Sequence, residues 1–266
     1  MKSFTIFHRF LTLTLASAAL FTTSCKKDPV QKPDEPNSKL VKLEQSASNY
    51  TTFEYNANGS LNRMKAVEGG IAKEISLTYA NNRIASAASA NNAMKFNYNA
   101  ANQLDKVDLH DGSLQTPAAG HMVFAYQNNV LNSIITTAYF PGNAEPLPIV
   151  KLAYEYYANG DIKVQKEYMF NVITEEFELA EMHTYEYDTK TNPLAALGEI
   201  YQVSFEIPSK HNPVKDTHTD KEGNLVQTTT YIYTYNSNGY PVQAEKKTTA
   251  PGQANPTVSL LKYTYQ

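Results

Sequence analysis

The feature that most constrains this chain is a short unit that recurs from residue 53 to residue 265. Its order is an aromatic residue, any residue, Tyr, a polar turn, then a branched apolar residue. It reads Phe53-Glu54-Tyr55-Asn56-Ala57-Asn58-Gly59-Ser60-Leu61 and returns as Tyr154-Glu155-Tyr156-Tyr157-Ala158-Asn159-Gly160-Asp161-Ile162. Further copies are Phe96-Asn97-Tyr98, ending at Leu104, then Tyr185-Glu186-Tyr187 and Tyr233-Thr234-Tyr235-Asn236-Ser237-Asn238-Gly239-Tyr240. Shorter versions run from Leu77-Thr78-Tyr79 to Ile84 and from Phe124-Ala125-Tyr126 to Val130. Side chains alternate along a strand, so aromatic-x-Tyr sets two large rings on one face. Asn-Gly and Asn-Asn tolerate the positive φ that tight hairpin turns demand, and the apolar residue then opens the returning strand.

The anchors Tyr55, Tyr79, Tyr98, Tyr126, Tyr156 and Tyr187 follow one another closely, and Tyr235 and Tyr265 complete the series. Their spacing fits two strands and two turns per unit. The long step from Tyr187 to Tyr235 is expected to hold a copy without Tyr, in which Thr219 precedes the turn Asp220-Lys221-Glu222-Gly223-Asn224-Leu225. Alternation is visible within single strands. Ile71, Ile75, Leu77 and Tyr79 share a face opposite Ala72, Glu74, Ser76 and Thr78. Residues 175–183, the best helical candidate, also alternate and read as a strand. One Tyr-rich apolar face and one polar face indicate an antiparallel sheet covered on one side. The fold class expected is all-β, an up-and-down meander of Tyr-anchored hairpins. About 16 strands would curl into a large barrel-like or strongly curved sheet, since closure removes exposed edges. A barrel of that size needs filling, and residues 111–120 and 141–148, which lack alternation, are the loops expected to supply it.

Composition bounds the partners. Lys+Arg 23 against Asp+Glu 26 gives a net charge of −3, so no nucleic acid partner is expected. One Cys in 266 residues excludes an internal disulfide framework.

That Cys has an informative place. Lys2 and Arg9 form a positive start, and a largely apolar run from Phe10 to Phe21 follows, too short to cross a bilayer as a helix. Thr22, Thr23, Ser24 and Cys25 come next. A small residue before a lone Cys, at the end of such a run, resembles a bacterial lipobox, with Thr22 where the usual Leu stands. The resemblance implies that residues 1–24 are removed as a lipoprotein signal peptide and that Cys25 becomes an acylated first residue. Two or three acyl chains make a stable anchor, and lipidation would leave no free thiol. Residues 25–39, with Pro29, Pro33 and Pro36 among charged residues, read as the lipidated Cys and a solvated tether. Residues 40–266 are then a single β-repeat domain.

The Tyr-x-x-x-Gly-x-Leu hairpins look like YD repeats of the rearrangement-hotspot type, although the Asp is present only at Asp188. The whole plan is similar to a family of Gram-negative lipoproteins of unknown function with a porin-like β fold. The resemblance implies an outer-membrane or cell-surface location and supplies no chemistry.

Candidate sites are few. His110, His121, His183, His211 and His218 show no metal-binding spacing. The closest group, His211, Asp216, His218 and Asp220, reads as a polar strand end, so no metal and no cofactor are expected. Glu175, Glu176, Glu178 and Glu181 are the densest carboxylates and offer a glycosidase-like acid and base pair; an acidic solvent face explains them as well. No nucleophile-elbow, P-loop, dinucleotide or EF-hand motif occurs. The tyrosines stack on sugars in principle, which makes Tyr154, Tyr156, Tyr185, Tyr187, Tyr233 and Tyr235 the candidate ligand-binding residues. The same stripe is what a half-buried sheet needs. The function expected is a non-catalytic, outer-membrane-anchored lipoprotein that binds an oligosaccharide or a surface protein or plays a structural part. A membrane-embedded β-barrel or pore is the first alternative, and a hydrolase using the Glu175–Glu181 cluster the second.

Overall fold

The computed structural model describes residues 39–204 and 207–266. The expected signal peptide, Cys25 and nearly all of the tether lie outside them. The chain folds into sixteen antiparallel strands in sequence order. The first eight are β1 (Leu40–Ser46), β2 (Asn49–Tyr55), β3 (Leu61–Glu68), β4 (Ile71–Ala80), β5 (Arg83–Ala88), β6 (Asn92–Tyr98), β7 (Leu104–Asp111) and β8 (Ala118–Gln127). The rest are β9 (Val130–Ala138), β10 (Leu147–Tyr156), β11 (Ile162–Asn171), β12 (Glu176–Thr191), β13 (His211–Asp220), β14 (Leu225–Tyr235), β15 (Pro241–Thr249) and β16 (Thr257–Tyr265). Each strand pairs with its neighbours in the chain, and β1 pairs with β16 to close the barrel. The segment over residues 175–183 is a strand, as alternation indicates.

The turns behave as their residues require. Gly59, Gly160 and Gly239 have φ of 89°, 89° and 81°, and the Asn-Asn turns place Asn81 and Asn82 at 52° and 60°. After each of these turns the ladder carries a bulge. Tyr55 pairs with Leu61, Tyr79 with Ile84, Tyr98 with Leu104, Tyr126 with Leu131, Tyr156 with Ile162 and Tyr235 with Pro241. At the seam Leu40 pairs with Tyr265.

The tyrosine hydroxyls tie these pairs into a belt around one end of the barrel. Tyr55 donates to the Leu40 carbonyl at 2.8 Å, Tyr79 to Leu61 at 2.7 Å, Tyr98 to Ile84 at 2.8 Å and Tyr126 to Leu104 at 3.0 Å. Tyr156 donates to Leu131 at 2.8 Å and Tyr265 to Pro241 at 2.7 Å. In each case the last Tyr of an even strand reaches the first or second residue of the odd strand before it. The register shifts just after each acceptor residue, so the phenol adds a side-chain bond to a carbonyl beside a bulge.

The Tyr-bearing face points into the barrel. Phe53, Leu77, Phe96, Leu104, Val107, Phe124, Ile134, Leu152 and Tyr154 form one buried cluster, with Leu197, Ile200 and Val203 part of it. Those last three come from the connection between β12 and β13, which carries a 3-10 segment, Pro193–Tyr201, kinked at Gly198. Asn192 caps its start, its side chain accepting from the Leu194 N–H. Glu199 reaches across to strands β5 and β6, forming an ion pair with Arg83 and accepting from the Tyr98 hydroxyl at 3.0 Å. The filling element is therefore this connection. Residues 111–120 and 141–148 differ from expectation: they link strands at the opposite end and their outer portions join β8 and β10. Their lack of alternation marks turns; the insertion is betrayed only by Leu194, Leu197 and Ile200, too brief a pattern to stand out. The belt breaks at the same place. Ser209 Oγ accepts from the Ile162 N–H at 2.9 Å and donates to the Tyr187 hydroxyl at 2.8 Å, standing where a direct Tyr-to-carbonyl bond would be. The turn after Thr219 is also out of phase with the unit, because it joins β13 to β14 at the end away from the belt.

The outward face is mostly polar and charged, with single apolar side chains such as Val123, Ile232 and Val258 exposed among them. Arg63 sits between Glu54 and Glu74 at 3.6 and 3.2 Å, Lys166 pairs with Glu155 at 2.7 Å, and Lys215 pairs with Glu186 at 2.9 Å. His121 and Lys106 both meet Asp108, at 2.8 and 3.0 Å.

Replacing Tyr126 by Phe deletes one belt bond and should cost about 0.5–1.5 kcal/mol in urea denaturation. Burial also pushes the phenols of Tyr55, Tyr126 and Tyr156 up to about 12. Unfolded tyrosines ionise near pH 10, so this contribution is intact below about pH 10 and fades as the pH rises through about 12. Tyrosinate absorbance during an alkaline titration should therefore show a late class that ionises together with loss of sheet; smooth titration of all tyrosines near pH 10 in a folded chain would contradict the belt.

Candidate functional site

The inner wall changes character on β11 to β14. Side chains that are apolar elsewhere on this face are replaced by Gln165 on β11, Glu181 and His183 on β12, Asp216 and His218 on β13, and Thr229 on β14. The ladder sets them side by side: Gln165 lies opposite His183, His183 opposite His218, Tyr185 opposite Asp216, and Asp216 opposite Thr229. Alternation alone puts 181, 183 and 185 on one face and 216 and 218 on the other strand's matching face.

Contacts follow from that register. His183 Nδ1 meets the Asp216 carboxylate at 2.9 and 3.2 Å, and His183 Nε2 lies 3.8 Å from Glu181 Oε1. His218 Nε2 is 3.0 Å from Glu181 Oε2. The two imidazoles are stacked, 4.5 Å between centroids and 9° between planes, and Tyr185 stacks on His183 at 6.0 Å. His183, Asp216 and His218 keep only 21%, 19% and 18% of their side-chain exposure, while Glu181 keeps 38%. Burial by itself would lower the His183 pKa, but hydrogen bonds to Asp216 and Glu181 and their negative charge outweigh it and raise the imidazole to about 10. Glu181 is held below the usual carboxylate range, first by its hydrogen bond with His183.

The residues singled out in the sequence are distributed as follows. Tyr154 is buried in the core at 5% exposure. Tyr156 belongs to the belt, Tyr187 accepts from Ser209, Tyr233 donates to the Pro213 carbonyl at 3.0 Å, and Tyr235 donates to Asp188. Of the six, Tyr185 stacks on His183 in the charged wall, and Tyr154 lies opposite Gln165 at its edge. Glu175 occupies a turn with φ of 56°, and Glu178 accepts from Asn171 at 2.6 Å, so the four glutamates do not converge. Of the group His211, Asp216, His218 and Asp220, the middle two reach the wall. His211 instead pairs with the fully buried Asp161 at 2.7 Å, and Asp220 binds the backbone and side chain of Asn224 in its own turn. Sequence spacing missed Glu181 and His183 as partners of His218 because their proximity is created by the β12–β13 pairing across the insertion.

The His183–Asp216 contact should be measurable as a coupling. Asp216→Ala and His183→Ala should each cost about 1–3 kcal/mol, and the double variant less than their sum by about 0.5–3 kcal/mol. Strict additivity in a double-mutant cycle would show that the pair contributes nothing.

No family model matches the chain, and no curated protein matches it. Solved structures do share its fold. A porin-like protein from Bacteroides uniformis superposes with a TM-score of 0.54 at 14% identity, covering 85% of this chain and 96% of its own. A porin-like protein from Bacteroides vulgatus aligns over 86% of this chain and 99% of its own, with a TM-score of 0.47 at 10% identity. The likeness to the Bacteroides uniformis protein, at 14% identity, is one of barrel fold alone.

Proposed function

We propose that this chain is a lipid-anchored, water-facing β-barrel lipoprotein of the outer membrane that acts as a non-catalytic binding module. The observation that carries this reading is the outward wall. A barrel that crosses a bilayer presents an apolar band to lipid, and Arg or Lys at its midplane costs about 2–4 kcal/mol each. Here Glu54, Arg63, Glu74, Glu155 and Lys166 occupy that outward face in ion pairs. Most buried apolar residues and most of the repeat tyrosines turn inward. The apolar side chains left on the outside, such as Val123, Ile232 and Val258, are scattered among charged ones, which supports a barrel solvated outside and packed within.

Contact with the membrane then falls to the segment before β1. The run from Phe10 to Phe21, the small residues before Cys25 and the Pro-rich stretch after it support acylation at Cys25 and a flexible link to the barrel. The resemblance to tyrosine-hairpin lipoproteins supports the same address. Most of the tyrosines first considered for oligosaccharide binding have hydroxyls engaged in the wall, so a sugar would compete with bonds that maintain the barrel. The charged wall on β11 to β14 is the better place for a ligand.

The test is cellular fractionation of the full chain. Wild type should incorporate labelled palmitate and sediment with membranes, while Cys25→Ser should lose the label and appear in the soluble fraction. A Cys25→Ser chain that stays in the membrane and resists alkaline carbonate would transfer support to the embedded-barrel reading.

A further inference from the structure

We propose that Glu181, His183 and His218 bind a single divalent transition-metal ion of the zinc class on the inner wall of the barrel. The inference rests on geometry and is independent of the anchor. One donor atom from each residue lies within 4.8 Å of the others. Bonds of 2.0–2.1 Å in a tetrahedral site place neighbouring donors about 3.3–3.4 Å apart. The His218 Nε2 to Glu181 Oε2 distance of 3.0 Å and the His183 Nε2 to Glu181 Oε1 distance of 3.8 Å stand on either side of that edge. To share one centre, the two nearly parallel imidazoles rotate out of their stack so that each ring plane contains the ion, and one Glu181 oxygen faces both.

The surroundings are those a metal-bound imidazole requires. Asp216 holds His183 through Nδ1 at 2.9 Å and so leaves Nε2 directed at Glu181, the carboxylate–histidine arrangement that orients a ligand. His183 and His218 sit directly opposite each other in the ladder, so both imidazoles start from neighbouring positions on one wall. All three ligands come from strands, which position side chains more tightly than loops do. Two imidazoles and one carboxylate suit zinc or a neighbouring first-row metal and disfavour calcium and magnesium, which prefer oxygen. Three protein ligands leave a fourth position for water or for a donor atom of a bound molecule. A bound ion takes both imidazoles in their neutral form.

The experiment uses the full chain carrying Cys25→Ser, which has no thiol to compete, stripped with a chelator. Titration calorimetry with Zn²⁺ should give one ion per chain, and Co²⁺ should produce the visible bands of a four- or five-coordinate site. His183→Ala and His218→Ala should abolish stoichiometric binding, Asp216→Asn should weaken it about 10–100-fold, and His211→Ala should leave it unchanged. Circular dichroism checks each variant for folding; should the alanine variants fail, the near-isosteric Glu181→Gln must itself lose the Co²⁺ bands. Substoichiometric Zn²⁺ binding to the parent chain, or binding that survives in folded Glu181→Gln with His211→Ala behaving identically, would overturn the site.

Discussion

The bond from a tyrosine hydroxyl to the carbonyl that opens the preceding strand is the interaction on which this barrel depends. A bulge follows the residue that bears this carbonyl, and the phenol of the neighbouring unit returns to it. Each hairpin is thereby keyed to the one before it, not only through backbone pairing but through a side chain that fits a single register. Sliding a strand by one residue would turn the Tyr outward and leave the carbonyl without its phenol, so the belt also specifies which face is inside. Its continuation across the seam, where Tyr55 reaches Leu40 and Leu40 pairs with Tyr265, makes closure part of the same pattern.

Because the belt determines which face is inner, it divides the barrel's chemistry. From β2 to β10 the inner face is largely apolar and packs with Leu197, Ile200 and Val203 of the β12–β13 connection. From β11 to β14 it carries histidines, carboxylates and hydroxyls. A charged inner wall is stable here because its groups satisfy one another: His183 with Asp216, and His218 with Glu181. The connection adds a second polar link across the lumen through Glu199, Arg83 and Tyr98.

Much of this was legible in the sequence. Period-two alternation around Tyr79, Tyr98 and Tyr235, with Asn and Gly in the turns, is a local signal, and it carried the strands, their two unlike faces and the meander, while which face turns inward is decided only by closure. Closure was expected on general grounds, since open edges are a liability; no residue announces that Leu40 meets Tyr265. The insertion was hidden because three apolar residues in a short 3-10 segment make no periodic stripe. The charged wall was half visible. Asp216 and His218 share a strand and were grouped, whereas His183 and Glu181 belong to another strand, and only tertiary pairing joins them. His211 was misgrouped for the complementary reason: its spacing from Asp216 fits a cluster, but the chain there bends into the plugged end and gives it to Asp161.

The belt has a consequence for how such barrels change over evolutionary time. Each hairpin brings its own donor, in the tyrosine before the turn, and its own acceptor, in the carbonyl that opens the strand after it. Duplicating or deleting one unit leaves no donor or acceptor stranded, because the remaining units link as before. A lineage built this way can widen or narrow by two strands in a single recombination event and still close, with the inner wall free to diverge wherever the belt does not reach.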